Sequence, residues 1–147
     1  MSFESLKFNI LLSGTHWNKY PEFSVWFDDE KILQDKIMFD THTVELEREV
    51  TDGEHTLKIR LENKTPEDTL IENGEIVKDM LLNINDITID DVSLGNLLWL
   101  AEYHLDEPHE YQGKIVTKID NCVNLGLNGA YVLKFTSPFY IWLLENL

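Results

Sequence analysis

Cysteine occurs once, at Cys122, so no intrachain disulfide can form and the chain must hold itself together through a core. A lone thiol fits synthesis in a reducing compartment. Basic residues are scarce as well: 12 Lys and Arg stand against 27 Asp and Glu, for a net charge of −15. Nucleic acid is excluded as a partner, because its phosphates require clustered cations that displace counterions. Anionic membrane surfaces are disfavoured for the same reason. Long apolar runs are missing. The most apolar stretch, Phe139-Tyr140-Ile141-Trp142-Leu143-Leu144, is far below the ~20 residues that span a bilayer, so no membrane insertion is expected. Met1-Ser2-Phe3-Glu4 carries no basic region and Phe8–Leu12 is too short for an apolar signal core, so no signal peptide and a soluble chain are expected. Catalytic signatures are absent too: there is no Gly-x-Ser-x-Gly and no phosphate-cradling glycine loop. Glycoside hydrolysis needs two carboxylates at a set separation, which no spacing among so many acids specifies. A non-catalytic protein is expected.

What the sequence does contain is apolar material in a period of two. Hydrophobic residues make up 43% of the 147, enough for one domain spanning 1–147. Leu6–Leu12 is apolar and β-permissive. Glu22–Asp28 alternates with Phe23, Val25 and Phe27 on one side and Trp26 on the other, the mark of a half-buried strand. Asp28-Asp29-Glu30 then turns the chain back through Lys31–Ile37. In Thr43–Val50, Val44, Leu46 and Val50 share a face, while Glu45, Glu47 and Glu49 repel one another on the opposite one and should face water. Asp52-Gly53 has the composition of a hairpin turn. It predicts Leu57, Ile59 and Leu61 in one antiparallel sheet with Val44 and Leu46. In Leu81–Ile89, Leu82 and Ile84 are one residue out of step with Ile87 and Ile89, which predicts a bulge at Asn85-Asp86. Asn96–Leu105 fits a helix or a strand equally. Lys114–Ile119 and Ala130–Thr136 read as strands around a turn at Asn128-Gly129, and the run after Pro138 as a last, buried strand. With about nine or ten short strands, the expected class is all-β, a two-sheet antiparallel sandwich of jelly-roll type.

Two loops carry chemistry. Between Glu62 and Asp79 lie six carboxylates, counting both ends. Calcium takes six to eight oxygens from carboxylates, amides and carbonyls, and Asn63, Glu67, Asp68 and Asp79 are candidate ligands. No EF-hand spacing occurs, and the competing reading is a solvated acidic surface. Gly14–Pro21 carries His16, Trp17 and Tyr20. With Trp26 these are candidates for a sugar-stacking platform, against the alternative that they pad the core. His104 and His109 flank Asp106-Glu107 but lack the compact donor set of a zinc site.

The order of elements resembles the calcium-dependent xylan-binding carbohydrate-binding modules of families 36 and 60. The matching pieces are Trp26-Phe27-Asp28-Asp29, Gly53–Asn63 and Asp79–Ile84, within about residues 5–95. The resemblance implies a jelly-roll sandwich, a glycan partner and a loop-held calcium in which Asp79 is the ligand carried over. Where the family places an Asp after the Asn, this chain has Lys64. The ending Asn128–Leu147 looks like the C-termini of small virion-associated proteins of tailed bacteriophages. That likeness implies a virion location and a structural or host-adhesion subunit docking on another virion protein or on a second copy of itself.

Overall fold

The computed structural model describes residues 2–147. Thirteen strands run β1 Phe3–Thr15, β2 Glu22–Phe27, β3 Glu30–Lys36, β4 His42–Thr51, β5 Gly53–Leu61, β6 Leu70–Glu72, β7 Glu75–Lys78, β8 Leu81–Ile89, β9 Val92–Ser93, β10 Glu102–Tyr111, β11 Lys114–Asp120, β12 Asn124–Leu125 and β13 Gly129–Ser137; helix α1 spans Phe139–Asn146. One sheet has the order β12-β8-β1-β4, with β9 on β8; the other runs β11-β10-β13-β5-β2-β3. Every pairing is antiparallel, and β6-β7 forms a separate hairpin. The two sheets pack face to face as a β-sandwich.

Alternation explains which side of each strand is dry. Leu6, Phe8, Ile10 and Leu12 of β1 are fully buried, as are Leu57, Ile59 and Leu61 of β5. At roughly 1.5–3 kcal/mol for each large side chain removed from water, such rows drive the two layers together. Aromatic rings join them: Phe8 of the first sheet lies 5.5 Å from Phe27 and 6.0 Å from Phe135 of the second, centroid to centroid. The expected bulge is present, because Leu11 pairs with Asp86 and Leu12 with Ile84, leaving Asn85 as the extra residue. The turn at Asp28-Asp29 joins β2 to β3, with φ of 48° and 67°.

Three expectations are corrected, and one reading left open is resolved. Asp52-Gly53 is not a hairpin. β4 pairs with β1, whereas β5 pairs with β13 and β2. Val44 and Leu46 therefore face Leu57, Ile59 and Leu61 across the core instead of lying beside them. Gly53, at φ +115°, lets the chain cross from one layer to the other within a single corner. The run after Pro138 is a helix and not a strand. Phe139 and Trp142 are buried, Leu143 is half-buried and Ile141 is exposed, a spacing that only a helical period produces. The Phe139 and Trp142 rings stack at 6.0 Å, and the Glu4 carboxylate accepts the Phe139 N–H at 2.7 Å and the Ser137 hydroxyl. The ambiguous block 96–105 divides, with a 3-10 turn over Gly95–Leu100 followed by β10. Finally, Asn128-Gly129 does not fold β11 onto β13, since β10 lies between them. Gly129 sits where a Cβ would run into the His104 carbonyl.

Candidate functional site

Register gathers the chemically interesting loops at one end of the sandwich. Thr15 pairs with Leu81, Phe23 with Leu61, and Leu61 with Gly129, so segments 16–21, 62–80 and 121–128 emerge together. Two asparagines clip them. Asn63 Oδ1 accepts the Glu22 N–H at 2.8 Å and its Nδ2 donates to the Tyr20 carbonyl at 3.0 Å. Asn128 exchanges two bonds with the Lys64 backbone, at 2.7 and 2.9 Å.

Asp68 organises the acidic segment from within. It closes the 3-10 turn Pro66–Asp68 by accepting the Thr65 N–H at 2.8 Å and hydroxyl at 3.0 Å, and it also receives Asn18 Nδ2 and Lys19 Nζ, each at 3.0 Å. Its side chain is fully buried. Burial alone would push the carboxyl up, but these donors outweigh it and pull its pKa from 3.8 down to about 2. Beyond it, β6 and β7 form a hairpin through Asn73-Gly74, with φ of 54° and 80°. This order was not read in the sequence, although Asn-Gly is a strong hairpin signal.

The aromatic candidates separate into two surfaces. Trp17 Nε1 donates to the Asp68 carbonyl at 2.7 Å, Lys78 Nζ sits 5.4 Å from the Trp17 ring, and His16 and Tyr20 pack at 4.5 Å. Trp17 and Tyr20 remain 39% and 38% exposed. Trp26 is elsewhere. It lies on the outer face of the second sheet in a shallow groove of about 590 Å³, with Thr56, Lys58, His104, Val132 and Lys134. This follows from its parity, opposite to Phe23, Val25 and Phe27.

The metal candidates do not converge. Among the described residues, no three His, Cys, Asp or Glu side chains are grouped so as to hold an ion. Asn63 is spent on backbone groups, Asp68 is enclosed by donors, and Glu67 is exposed. Asp79 Oδ1 receives Lys64 Nζ at 2.7 Å, the Thr69 hydroxyl at 2.7 Å and its neighbour's Met80 N–H at 2.8 Å. Its pKa is lowered, burial being outweighed by the Lys64 and Thr69 bonds. The residues present do not fit a calcium ion. His104 and His109 are no closer to a zinc site, since His104 bonds Glu102 at 3.2 Å and His109 faces a cleft.

That cleft, about 920 Å³, opens between the β6-β7 hairpin, the 105–109 stretch and the 122–128 segment. Its lining includes Ile71 and Ile76 of the hairpin, Asp106, Glu107 and His109 of the 105–109 stretch, and Asn124 and Asn128 of the 122–128 segment. The 105–109 stretch leaves the ladder because the β10-β11 register breaks between His104 and His109, at Pro108, which has no N–H to donate. Arg60 anchors it, reaching Asp106 at 2.7 and 2.8 Å and Glu62 at 2.8 Å. A proline inside an otherwise β-like stretch was the one sequence signal for this wall.

No family model matches the chain, and no curated protein matches it. Two solved structures do. One is vCBM60 in complex with galactobiose, with a TM-score of 0.53 and 9% identity over 86% of this chain and 96% of that one. The other is the selenomethionine form of vCBM60, described with circular permutation as a link between two families of calcium-dependent carbohydrate binding modules; its TM-score is 0.53 at 9% identity, covering 87% of this chain and 89% of that one. The fold is therefore that of a carbohydrate-binding-module-like β-sandwich.

Proposed function

We propose that residues 1–147 form a single non-catalytic recognition domain that binds a neutral glycan at the loop end of the sandwich. The reading is carried by one observation: the aromatic segment 16–21 and the acidic segment 62–79, far apart in sequence, are bonded side by side next to the 920 Å³ cleft. Half-exposed rings beside carboxylate and amide groups suit a sugar, whose ring has an apolar face and a hydroxyl edge. His16, Trp17 and Tyr20 form the stacking platform, and Asp106, Glu107 and Asn124 offer the hydroxyl partners. Trp26 belongs to a separate surface and contributes nothing to this site. Glycan-array screening followed by calorimetry tests the reading. Binding is expected and should be lost in Trp17→Ala but kept in Trp26→Ala. Equal binding by Trp17→Ala, or no glycan bound across the array, would overturn it.

A second reading is favoured by helix α1. Its Tyr140, Ile141 and Leu144 are exposed, Leu144 by 73%. Such a face suits a structural or host-adhesion subunit of a phage virion, docked on a neighbouring virion protein. Ile141→Lys together with Leu144→Lys should leave melting unchanged and abolish assembly with that protein. No helix among the described residues is long and apolar enough to cross a membrane.

A further inference from the structure

The Lys64 side chain is 7% exposed, and its ammonium donates to three oxygens: Asp79 Oδ1 at 2.7 Å, the Met80 carbonyl at 2.8 Å and the Gly126 carbonyl at 2.7 Å. An ammonium has three N–H groups, so its donor capacity is filled. The oxygens come from two segments, 79–80 and 126, and the lysine belongs to a third. Both ends of the lysine are fixed, since Asn128 clamps its backbone on either side. Asp79 is held in turn by the Thr69 hydroxyl.

One carboxylate and two carbonyls converging from separate loops make a donor set for a hard cation. The solved structures that share this fold are described as calcium-dependent carbohydrate binding modules. Three oxygens fall short of the six to eight that calcium takes, however, and 2.7–2.8 Å is the length of a charge-assisted N–H···O bond, beyond the 2.3–2.6 Å of a calcium–oxygen bond. A divalent ion entering here would have to expel a covalently tethered ammonium, which would then stand nearby as a repelling charge.

We infer that the Lys64 ammonium is a built-in cation that takes the place of a divalent metal, pinning the 62–65, 79–80 and 126 segments together so that the loop end forms without calcium. Because the ion is part of the chain, its local concentration is fixed and no dissociation equilibrium governs the loops. Chelators and dilution leave them folded. The inference rests on the cage alone and needs no glycan.

Thermal melting of the full chain tests it. Wild type is expected to melt at the same temperature in millimolar calcium and in excess chelator. Lys64→Met keeps the side-chain volume but leaves Asp79 uncompensated, and should melt lower by roughly 6 °C or more. Lys64→Ala leaves room for an external cation. Propylammonium, which restores three N–H donors, should therefore raise its melting temperature while leaving wild type and Lys64→Met unmoved. A rise in wild-type melting with calcium, reversed by chelator, would overturn the inference. So would a Lys64→Met protein that melts with wild type. If the variants do not fold, terbium luminescence on the wild type decides: no sensitised emission supports the tethered cation, and saturable emission displaced by calcium refutes it.

Discussion

Removing the Asp68 carboxylate isolates what organises the acidic loop. Asp68 is fully buried, takes four donors from Thr65, Asn18 and Lys19, and titrates at about 2 where a free Asp titrates at 3.8. At about 1.36 kcal/mol per pKa unit, that difference stabilises the folded chain by about 2.5 kcal/mol at neutral pH. Asp68→Asn removes the charge and turns an amide N–H toward existing donors, so a loss of about 2.5 kcal/mol is expected. Asp68→Ala also strands the Thr65 and Asn18 donors and should lose about 3 kcal/mol. For a chain of this size these figures mean a fall of roughly 6–12 °C in melting temperature. The sign with pH is fixed. The folded pKa is depressed, so the contribution is fully present above the free-chain value near 4 and disappears as pH falls through about 2. Urea unfolding of wild type and Asp68→Asn should show a gap at pH 6 that closes toward pH 2. The gap should be the same with calcium or chelator, because the charge is satisfied by protein donors. A gap below about 0.5 kcal/mol at pH 6, the scatter of ordinary surface changes, would refute this account. So would a gap that does not vary between pH 5 and 2.

At the far end of the sandwich both ring nitrogens of His55 meet acceptors, Asp28 and the Thr51 carbonyl, each at 2.6 Å, so that the protonated ring donates from both. Burial lowers its pKa, but those two bonds together raise it above 6.5. Its stabilisation is therefore whole below about pH 6.5 and lost as pH rises through the raised folded value, so the melting gap between wild type and His55→Gln should shrink on going from about pH 6 to 9. Trp142 packs on Phe135 at 6.2 Å and on Phe139 at 6.0 Å; Trp142→Ala should cost about 3–5 kcal/mol in denaturant unfolding, and deleting Pro138–Leu147 should lower solubility as well as stability. Gly129→Ala forces a Cβ against the His104 carbonyl and should cost about 1–3 kcal/mol, read as a lower urea midpoint with an unchanged slope. Purified protein should not turn over polysaccharides or esters, and sustained hydrolysis abolished by a single carboxylate substitution would contradict the non-catalytic reading.

Local pattern settled what local pattern can settle. Alternation in 22–28, 43–50 and 57–61 marked the dry face of each strand, and the phase slip between Ile84 and Ile87 marked the bulge at Asn85, because side-chain direction in a strand depends only on parity. The same parity set Trp26 apart from the core. Two loops with aromatic and acidic character were legible as the chemical part of the chain, and register brought them to one end. Partnership between strands was not legible. Asp52-Gly53 has the same composition whether it closes a hairpin or turns a corner between layers, and only the pairing of β4 with β1 and of β5 with β13 decides between them. The terminal run is apolar in any period. It becomes a helix because Phe139 and Trp142 find Phe135 and the Glu4 carboxylate at the open end of the sandwich. Sequence established which residues avoid water and which carry charge, since those preferences belong to each side chain alone. Whether Asp68 and Asp79 coordinate an ion or bond to the chain's own donors was decided by tertiary structure, because Asn18, Lys19 and Lys64 reach them only once the sheets have set the distances between loops.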